Sequence, residues 1–350
     1  MIILMTGSTG ILGSVISAEL EKLGNTVYYI VRGGIDNKKL PVKITSERII
    51  DGDITKPLCG LAKSSEDYKK LSEMTIDMFL HLAADVSFAI DDPDGAIWKT
   101  NYNGTFNALA LAKDLDIKDF RHCSTCYAPD QRNPYEISKM GAENLVVNSG
   151  LKFSIYRPSA MVGDSETGFT TDYNGYYGVF SFLHYLAQKE YNGNNKKIIP
   201  LNIGYICSST STLNIITLDW VKYTLMKLLQ KESRGEIYHL AHEFPKKVRF
   251  VCEESHKALN LSNVIFWENT KERDARHQLD KPHVFQKRFD IVMQMYTPYA
   301  TFERPFSLDK TKEILGSEYI DAPAITSDLI HLLMNFASQN NFGKKNKSRG

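Results

Sequence analysis

The feature that most constrains this chain is a glycine-spaced stretch, TGSTGILG, at residues 6–13. It directly follows a short apolar run, IILMT, and opens a segment with apolar residues at helical spacing. Between a strand and a helix, Gly7 permits a tight turn, Gly10 lets a pyrophosphate approach the backbone, and Gly13 allows close helix–sheet packing. The stretch therefore predicts a dinucleotide-binding turn, with contacts from Gly7, Thr9, Gly10, Ile11, Leu12 and Gly13.

Strand and helix patterns alternate through the first half of the chain. The apolar runs TVYYIVR, DMFLHLA, DFRHCS and KFSIYRPS alternate with helical segments such as GTFNALALAKDLD and YEISKMGAENLVVNSG. Such alternation predicts an α/β fold, a Rossmann-type doubly wound parallel sheet that binds its ligand at the carboxyl ends of the strands. After Pro158 the rhythm breaks, and we expect a smaller, mostly helical C-terminal substrate domain with a strand at NVIFW.

The second strand ends in IVRGG, which places Arg32 where NAD-binding chains carry an acid for the ribose hydroxyls. A guanidinium can hold the 2′-phosphate of NADP through two hydrogen bonds. We therefore expect NADPH as the cofactor. The expected domains are an NADP-binding domain at 1–160, to which 210–242 return, a substrate domain at 161–209 and 243–340, and a basic, disordered tail at 341–350.

Composition excludes several classes of protein. The 350 residues carry a net charge of +1, which gives no global attraction to nucleic acid or an anionic membrane. No apolar run approaches the roughly 20 residues of a membrane span, and we expect no signal peptide before the first strand. The odd number of cysteines, five, predicts a reducing compartment. We expect a freestanding cytoplasmic protein without a metal site, and we interpret the spacing of Cys123 and Cys126 as coincidence because two further zinc ligands are missing.

The stretch NPYEISK places Tyr135 four residues before Lys139. On a helix, residues four apart share one face, so both side chains can point at one ligand. Moving a tyrosine pKa from about 10 to about 7 requires roughly 4 kcal/mol of preference for the phenolate. A neighbouring ammonium in a partly dry cleft can supply much of that preference.

Seven motifs occur in order and at fitting intervals: TGSTGILG, DGDIT, HLAAD, TNYNGT, CST, YEISK and YRPSAMVGDSETG. With them the chain resembles the extended short-chain dehydrogenase/reductases. More narrowly, it resembles the thioester reductase and fatty acyl-CoA reductase branch, also called male-sterility-type. The resemblance covers residues 1 to about 170 well and the remainder loosely.

The resemblance implies roles for individual residues. Tyr135 would be the proton donor, Lys139 would hold the ribose and tune Tyr135, and Thr125 would orient the reacting oxygen, with Ser124 as the alternative. Tyr135 and Lys139 would also contact the cofactor. The remaining positions implied to contact or support the cofactor are Asp53 and Ile54 near the adenine, Ala83 and Ala84 beneath it, Asn101 in support, and Pro158 and Ser159 near the carboxamide. For the two alanines, a packing role stays equally open.

One departure from the resemblance lies between Thr125 and Tyr135, where only nine residues, CYAPDQRNP, replace a usually longer loop. The short loop leads us to expect a more open substrate entrance, or an entrance built by FTTDYNGYYG. In the second case Tyr176 and Tyr177 would pack an acyl or pantetheine chain while their hydroxyls stay in water. An aromatic packing loop is the alternative.

The resemblance therefore implies an NADPH-dependent reductase of an acyl thioester, bound to a carrier protein or coenzyme A, that yields an aldehyde or alcohol. Two alternatives stay open. One is an extended short-chain enzyme that acts on a sugar nucleotide or ketone. The other is a non-catalytic NADP-binding regulator, which the intact Tyr135–Lys139 pair disfavours because a sensor needs no proton donor. A homodimer stays open as well.

Overall fold

The computed structural model describes residues 1–34, 44–87, 89–190, 198–279 and 282–344. The strands are β1 (Ile2–Thr6), β2 (Thr26–Val31), β3 (Ile49–Asp51), β4 (Met78–His81), β5 (Asp119–Cys123), β6 (Lys152–Pro158), β7 (Ala160–Val162), β8 (Ile199–Ile206), β9 (Thr212–Leu213), β10 (Ile215–Thr217), β11 (Glu236–Leu240), β12 (Lys246–Lys247) and β13 (Leu261–Trp267). The α-helices are α1 (Ile11–Lys22), α2 (Glu66–Ser72), α3 (Ala96–Trp98), α4 (Gly104–Asp114), α5 (Pro134–Val147), α6 (Tyr176–Glu190), α7 (Leu218–Leu229), α8 (Val248–Ala258), α9 (Thr270–Leu279), α10 (Val284–Thr301), α11 (Asp309–Leu315) and α12 (Ser327–Gln339). A π-helical turn, Lys99–Asn103, joins α3 to α4.

The chain forms two compact units. The first unit consists of Met1–Ser159, Val221–Leu240 and Ser307–Ile320, and the second unit consists of Ala160–Trp220, Ala241–Phe306 and Asp321–Gly350. The segment 307–320, which the sequence assigned to a substrate domain, thus belongs to the first unit, and residues 210–220, which it assigned to the cofactor domain, belong to the second unit. In the first unit the Thr311 hydroxyl donates to the carbonyl of His239 on β11 at 2.8 Å. The division into cofactor and substrate domains stays a prediction.

A parallel sheet forms the centre of the first unit. In the described residues it has seven strands in the order β11-β6-β5-β4-β1-β2-β3, and each neighbouring pair is parallel. The predicted Rossmann-type doubly wound sheet is therefore confirmed. The strand order reverses between β1 and β4, where Thr6 lies opposite His81. In such sheets the crevice at the carboxyl ends, near this reversal, is where ligands bind.

Strands of this sheet are buried on both faces, as parallel sheets require. Phe79 on β4 and Phe120 on β5 are fully buried, and their rings stack with centroids 5.2 Å apart. They lie in a core cluster with Leu109 and Leu111 of α4 and Val146 of α5. Apolar packing on this face therefore holds α4 and α5 against the strands.

A buried ion pair fixes α5 to β6. Arg157 on β6 donates through Nε to Glu143 of α5 at 2.9 Å, and only 10% and 2% of the two side chains are exposed. Charges buried this deeply are tolerated only when they are paired. The pair therefore sets the position of α5, the helix that carries Tyr135 and Lys139.

The second unit is built around a parallel strand pair, β8 with β13. Its core cluster draws buried side chains from α6, α8, α10 and α12, among them Phe180, Val251, Phe289 and Leu333. Two further short pairs are present, β7 with β10 in parallel and β9 with β12 antiparallel. The strand predicted at NVIFW is confirmed as part of β13.

Strand β8 was not predicted, because its sequence, IPLNIGYI, contains three residues that are rare in strands. Asn202 adopts a positive φ of 51°. Gly204 is required by packing, since a Cβ there would lie 2.7 Å from the side chains of Ile265 and Trp267 on β13. Pairing with β13 thus overrides the local preference of these residues.

The prediction of a disordered tail at 341–350 places the start of the tail too early in the chain. Asn341–Gly343 form a 3₁₀ turn, and Phe342 is 4% exposed within the core of the second unit. The sequence missed this because one buried aromatic residue among polar neighbours gives no periodic signal. Residues 345–350 lie outside the described part of the chain.

Among the helices that the structure describes, none combines the length and the apolar character that crossing a membrane requires.

Replacing Phe120 with alanine tests the packing between β4, β5 and the helices. The change should lower the free energy of unfolding by about 3–5 kcal/mol, because a fully buried ring leaves a cavity. Phe106→Ala on α4 is the matched control, since Phe106 is 56% exposed and its loss should cost about 0.5 kcal/mol or less. Urea unfolding of both variants measures the difference, and equal midpoints would contradict the packing described here.

Candidate active site

The glycine turn connects β1 to α1. Gly7 adopts φ 84°, and a Cβ there would lie 2.5 Å from the backbone nitrogen of Ala83. A Cβ on Gly13 would lie 2.0 Å from the carbonyl oxygen of Gly7, so α1 starts directly against the turn. Gly10 is exposed, and a Cβ there would contact only the Gly7 carbonyl, at 3.5 Å.

Helix α1 begins without a capping side chain at its N-cap, Gly10. The first N–H groups of a helix need acceptors, and together with the helix dipole they favour an anion. Thr9, Ile11 and Leu12 are half-buried around this helix start. The exposed Gly10 and the uncapped helix therefore fit the pyrophosphate of a dinucleotide.

Ala83 and Ala84 follow β4 next to this turn. The backbone nitrogen of Ala83 donates to the Thr6 hydroxyl at 3.4 Å, and its backbone forms the wall that excludes a side chain at Gly7. Ala83 thus has a packing role. Ala84 is half-buried, and the structure leaves both of its predicted roles open.

The ends of β2 and β3 bring Arg32 and Asp53 together. Burial raises the pKa of Asp53, but hydrogen bonds from Thr55 and the charges of Arg32 and Lys56 outweigh it, so the pKa is lowered. The Thr55 backbone and hydroxyl donate to Asp53 at 3.0 and 2.8 Å. Next to Asp53, the carbonyl of Ile54 accepts from the Asn107 amide at 2.8 Å. An ionised carboxylate and an exposed guanidinium thus lie at the carboxyl ends of the neighbouring strands β2 and β3.

Lys139 reaches from α5 to the end of β5. Its Nζ donates to the carbonyl of Cys123 at 2.6 Å, and the side chain is 1% exposed. Burial lowers the pKa of Lys139, while Cys123 and Glu143 act in the opposite direction. The ammonium therefore lies at the strand end from which Ser124 and Thr125 continue.

Thr125 and Ser124 are both buried but differ in their contacts. The Thr125 hydroxyl donates to the carbonyl of Pro158 at 3.4 Å and accepts from the backbone nitrogen of Tyr127 at 3.3 Å. Within the described residues the Ser124 hydroxyl has no hydrogen-bond partner. The structure thus brings Thr125, Pro158 and Lys139 to one place, and it leaves the choice between the two hydroxyls open.

Tyr135 is the second residue of α5, one turn before Lys139, and is half-buried. Its carbonyl accepts from the Ser138 hydroxyl at 2.8 Å, and that hydroxyl accepts from the Asn101 amide at 2.9 Å. The Asn101 side chain also exchanges two hydrogen bonds with the backbone of Asp85, at 2.8 and 3.0 Å. Asn101 therefore ties the start of α5 to the segment after β4.

Two buried histidines, on the neighbouring strands β4 and β5, lie near Lys139, and the sequence analysis did not indicate them. His81 contacts the hydroxyls of Thr6 and Thr105 at 2.7 and 3.2 Å, and its ring stacks on His122 at 5.4 Å. Burial and the Lys139 charge lower the pKa of His81 to about 3, and burial, Lys139 and His81 lower the pKa of His122 well below its usual value. A polar residue at or just before the end of each apolar strand, in FLH and FRH, was the available signal.

A family model described as male sterility protein, an NAD-binding family, matches residues 5–133 and 127–225, which is more than half of the chain. The chain belongs to this family. The predicted resemblance to the male-sterility-type branch and the predicted class of enzyme, a nicotinamide-dependent oxidoreductase, are therefore confirmed.

A curated relative is a polypeptide of the linear gramicidin synthase of Brevibacillus parabrevis. It is 28% identical over 204 residues, which cover 47% of this chain, and the chain spans only 4% of its length. Among solved structures, the terminal R domain of the myxalamid PKS-NRPS pathway has a TM-score of 0.73 at 23% identity, covering 98% of this chain and 91% of that one. A thiolation-reductase di-domain from an archaeal non-ribosomal peptide synthetase has a TM-score of 0.68 at 17% identity, covering 98% and 76%. These structures share the fold.

Tyr176 and Tyr177 do not fit the expected wet entrance. They are 9% and 1% exposed in the core of the second unit. The Tyr176 hydroxyl lies 2.7 Å from that of Ser255, and the Tyr177 hydroxyl accepts from the backbone nitrogen of Gly163 at 3.0 Å. The expectation that these hydroxyls face water is wrong. Tyr176 and Tyr177 are the first two residues of helix α6, and both rings are buried in the apolar core of the second unit. The packing alternative describes them.

Alanine at two glycines separates folding from binding at the turn. Gly13→Ala should lower the free energy of unfolding by about 1–3 kcal/mol through overpacking against Gly7, and should weaken dinucleotide binding as well. Gly10→Ala should leave stability within about 1 kcal/mol and still weaken binding, since the methyl group occupies the approach to the helix start. Thermal unfolding and fluorescence titration with the dinucleotide measure both effects. Wild-type stability of Gly13→Ala would contradict the described turn.

Proposed function

We propose that this protein is an NADPH-dependent reductase of acyl thioesters, with the acyl chain carried on a phosphopantetheine arm of a carrier protein or coenzyme A. The product is an aldehyde or, after a second reduction, an alcohol. The observation that carries the proposal is the bond between Lys139 and the Cys123 carbonyl. It holds an ammonium one helical turn from Tyr135 at the end of β5, from which the chain continues to Thr125. One strand, β4, lies between β5 and β1, the strand that leads into the glycine turn. The family and the thiolation-linked relative support the substrate class.

NADPH is proposed as the cofactor because Arg32 is exposed at the end of β2. Its guanidinium matches the geometry of a phosphate, whereas a ribose hydroxyl pair would favour a carboxylate. The turn at Gly7, Gly10 and Gly13 would hold the pyrophosphate, and Asp53 and Ile54 would flank the adenine. When bound, the cofactor supplies a hydride to the carbonyl carbon of the substrate.

The residues of this chain would handle the oxygen and the proton. As the carbonyl carbon becomes tetrahedral, Thr125 donates a hydrogen bond to the developing oxyanion, and Tyr135 protonates it. Buried Lys139 stabilises the resulting phenolate through its charge. When the protonated adduct collapses, its hydroxyl loses a proton as the carbon–sulfur bond breaks, and the departing thiolate takes up a proton. The products are the aldehyde and a free thiol. No cysteine nucleophile is needed, and burial raises the pKa of the Cys123 thiol at the end of β5.

Two further proposals concern the setting. We propose a reducing, cytoplasmic location, which the five free thiols support. We also propose that the first unit serves the cofactor and that the second unit selects the substrate.

Arg32→Asp tests the choice of cofactor. The exchange should weaken NADPH binding by roughly 10- to 100-fold, because a charged hydrogen-bond partner of the 2′-phosphate becomes repulsive. NADH binding should be retained or improved. Lys118→Asp is the control, because it reverses the same charge at the amino-terminal end of β5, away from the carboxyl ends of the strands. It should change neither affinity. Titration calorimetry with both dinucleotides measures this, and equal affinities in the wild type would refute the role of Arg32.

Tyr135→Phe tests the proton donor. It should lower kcat by roughly 100-fold or more while the Kd for NADPH stays within about threefold, since only a hydroxyl is lost. Lys139→Ala should damage both parameters. Tyr102→Phe, which removes a hydroxyl from the π-helical turn before α4, is the matched control and should behave as wild type. Appreciable turnover by Tyr135→Phe would remove Tyr135 from the mechanism.

The substrate class is tested by NADPH oxidation with a panel of acyl-coenzyme A and acyl-carrier thioesters, with free thiol measured in parallel. One thiol released for each aldehyde formed is the expected result, because the leaving group departs after the first reduction. Ketones, free aldehydes and sugar nucleotides form the comparison panel. Activity on these alone, without thiol release from any thioester, would overturn the proposal.

A further inference from the structure

A buried ionic contact closes the short loop between Thr125 and Tyr135. Glu136, the neighbour of Tyr135, is fully buried. Its carboxylate accepts a hydrogen bond from the backbone nitrogen of Arg132 at 2.7 Å. It also accepts from Nε and Nη2 of the Arg132 side chain at 3.1 and 2.7 Å. Asp130 Oδ2 lies 3.3 Å from the same Nη2 of Arg132. Two carboxylates therefore hold one arginine inside the loop.

The contact extends to both ends of the loop. At the end near Thr125, the Arg132 guanidinium lies over the ring of Tyr127, 5.3 Å from its centroid, and the backbone nitrogen of Tyr127 donates to the Thr125 hydroxyl. At the other end, the Asn133 side chain caps α5 by accepting from the backbone nitrogen of Glu136 at 3.0 Å. A continuous chain of contacts thus joins Thr125 to the first turn of α5.

The loop also contains a strained residue. Gln131 adopts φ 52° and ψ 37°, a left-handed conformation that non-glycine residues rarely take. Such conformations persist where the surroundings determine them. The residue directly after Gln131 is Arg132, so the buried ion pair fixes the chain where its backbone is least favourable.

Burying a carboxylate next to a tyrosine that must stabilise negative charge is unfavourable unless the carboxylate is neutralised. Arg132 supplies that neutralisation. We propose that Glu136, with Arg132 as its counter-ion, is a positioning residue that sets the spacing between the Thr125 and Tyr135 hydroxyls. The inference rests on the proposed function, in which both hydroxyls must reach the same substrate oxygen. A loop held at this length by an internal ion pair replaces the longer loop expected from the resemblance.

Two substitutions at Glu136 test the proposal in the full-length protein. Glu136→Ala should lower kcat by about 100-fold, because a displacement of about 1 Å between reacting groups has an effect of that size. Glu136→Gln keeps the shape and an acceptor for the Arg132 backbone, so it should recover about tenfold of that loss. The KM for the thioester and the Kd for NADPH should stay within about threefold for both, since neither variant touches a proposed binding contact.

Asp119→Asn is the matched control. Asp119 and Arg121 form an equally bidentate pair, with distances of 2.9 and 2.7 Å, at the start of β5, the end of the strand opposite Thr125. This variant should lower the melting temperature as Glu136→Gln does and leave kcat unchanged. A merely structural role of Glu136 predicts the same behaviour for both pairs. Wild-type kcat in the folded fraction of Glu136→Gln would therefore overturn the inference.

Crystal structures of the wild type and of Glu136→Gln give a second measurement that needs no substrate. The distance between the Thr125 and Tyr135 hydroxyls should change in the variant, and an unchanged distance would overturn the inference even if Glu136→Ala does not fold. Absence of thioester turnover by the wild type would instead count against the proposed function, and the crystallographic comparison would still decide the role of Glu136.

Discussion

The buried ammonium of Lys139 is the constraint on which the rest of the first unit depends. Burying a charge without compensation costs several kcal/mol, so the side chain needs a partner at a fixed place. The Cys123 carbonyl is that partner, and Glu143 adds a negative charge one helical turn away. Because Glu143 is itself bound to Arg157, helix α5 is attached to both β5 and β6. The position of Tyr135 follows from these attachments.

At the ends of β1 and β4, close approach of backbone segments determines the structure, whereas charge does so around Lys139. Gly7 and Ala83 leave no room for a side chain between β1 and β4, and Gly13 brings α1 against the same turn. The neutral pair His81 and His122 fills the space below, where a charged imidazole would compete with Lys139. The structure thus places one buried cation at the end of β5 and keeps the two imidazoles near it neutral.

Local sequence signals predicted the parts of the fold that local physics determines. The glycine turn, the strands β1, β2, β4, β5 and β6, and the spacing of Tyr135 and Lys139 each follow from residues within one element. The missed features depend on distant partners. Strand β8 exists because β13 pairs with it. Phe342 and Tyr176 are buried because they belong to the core cluster that α6, α8, α10 and α12 form together. The Arg132–Glu136 contact was hidden for another reason, since i and i+4 charges usually indicate an exposed helix face.

The first unit is discontinuous along the chain, and this affects how it is made. Its sheet ends with β11, whose residues Glu236–Leu240 pair with Ser154–Pro158 of β6. During synthesis β6 therefore emerges long before its neighbour, while the amino-terminal part folds as the chain leaves the ribosome. Until β11 arrives, β6 is an edge strand with unpaired backbone groups, the kind of surface on which nascent chains associate wrongly. While the residues between Pro158 and Glu236 are synthesised, one edge of the sheet is thus open to pairing with another chain.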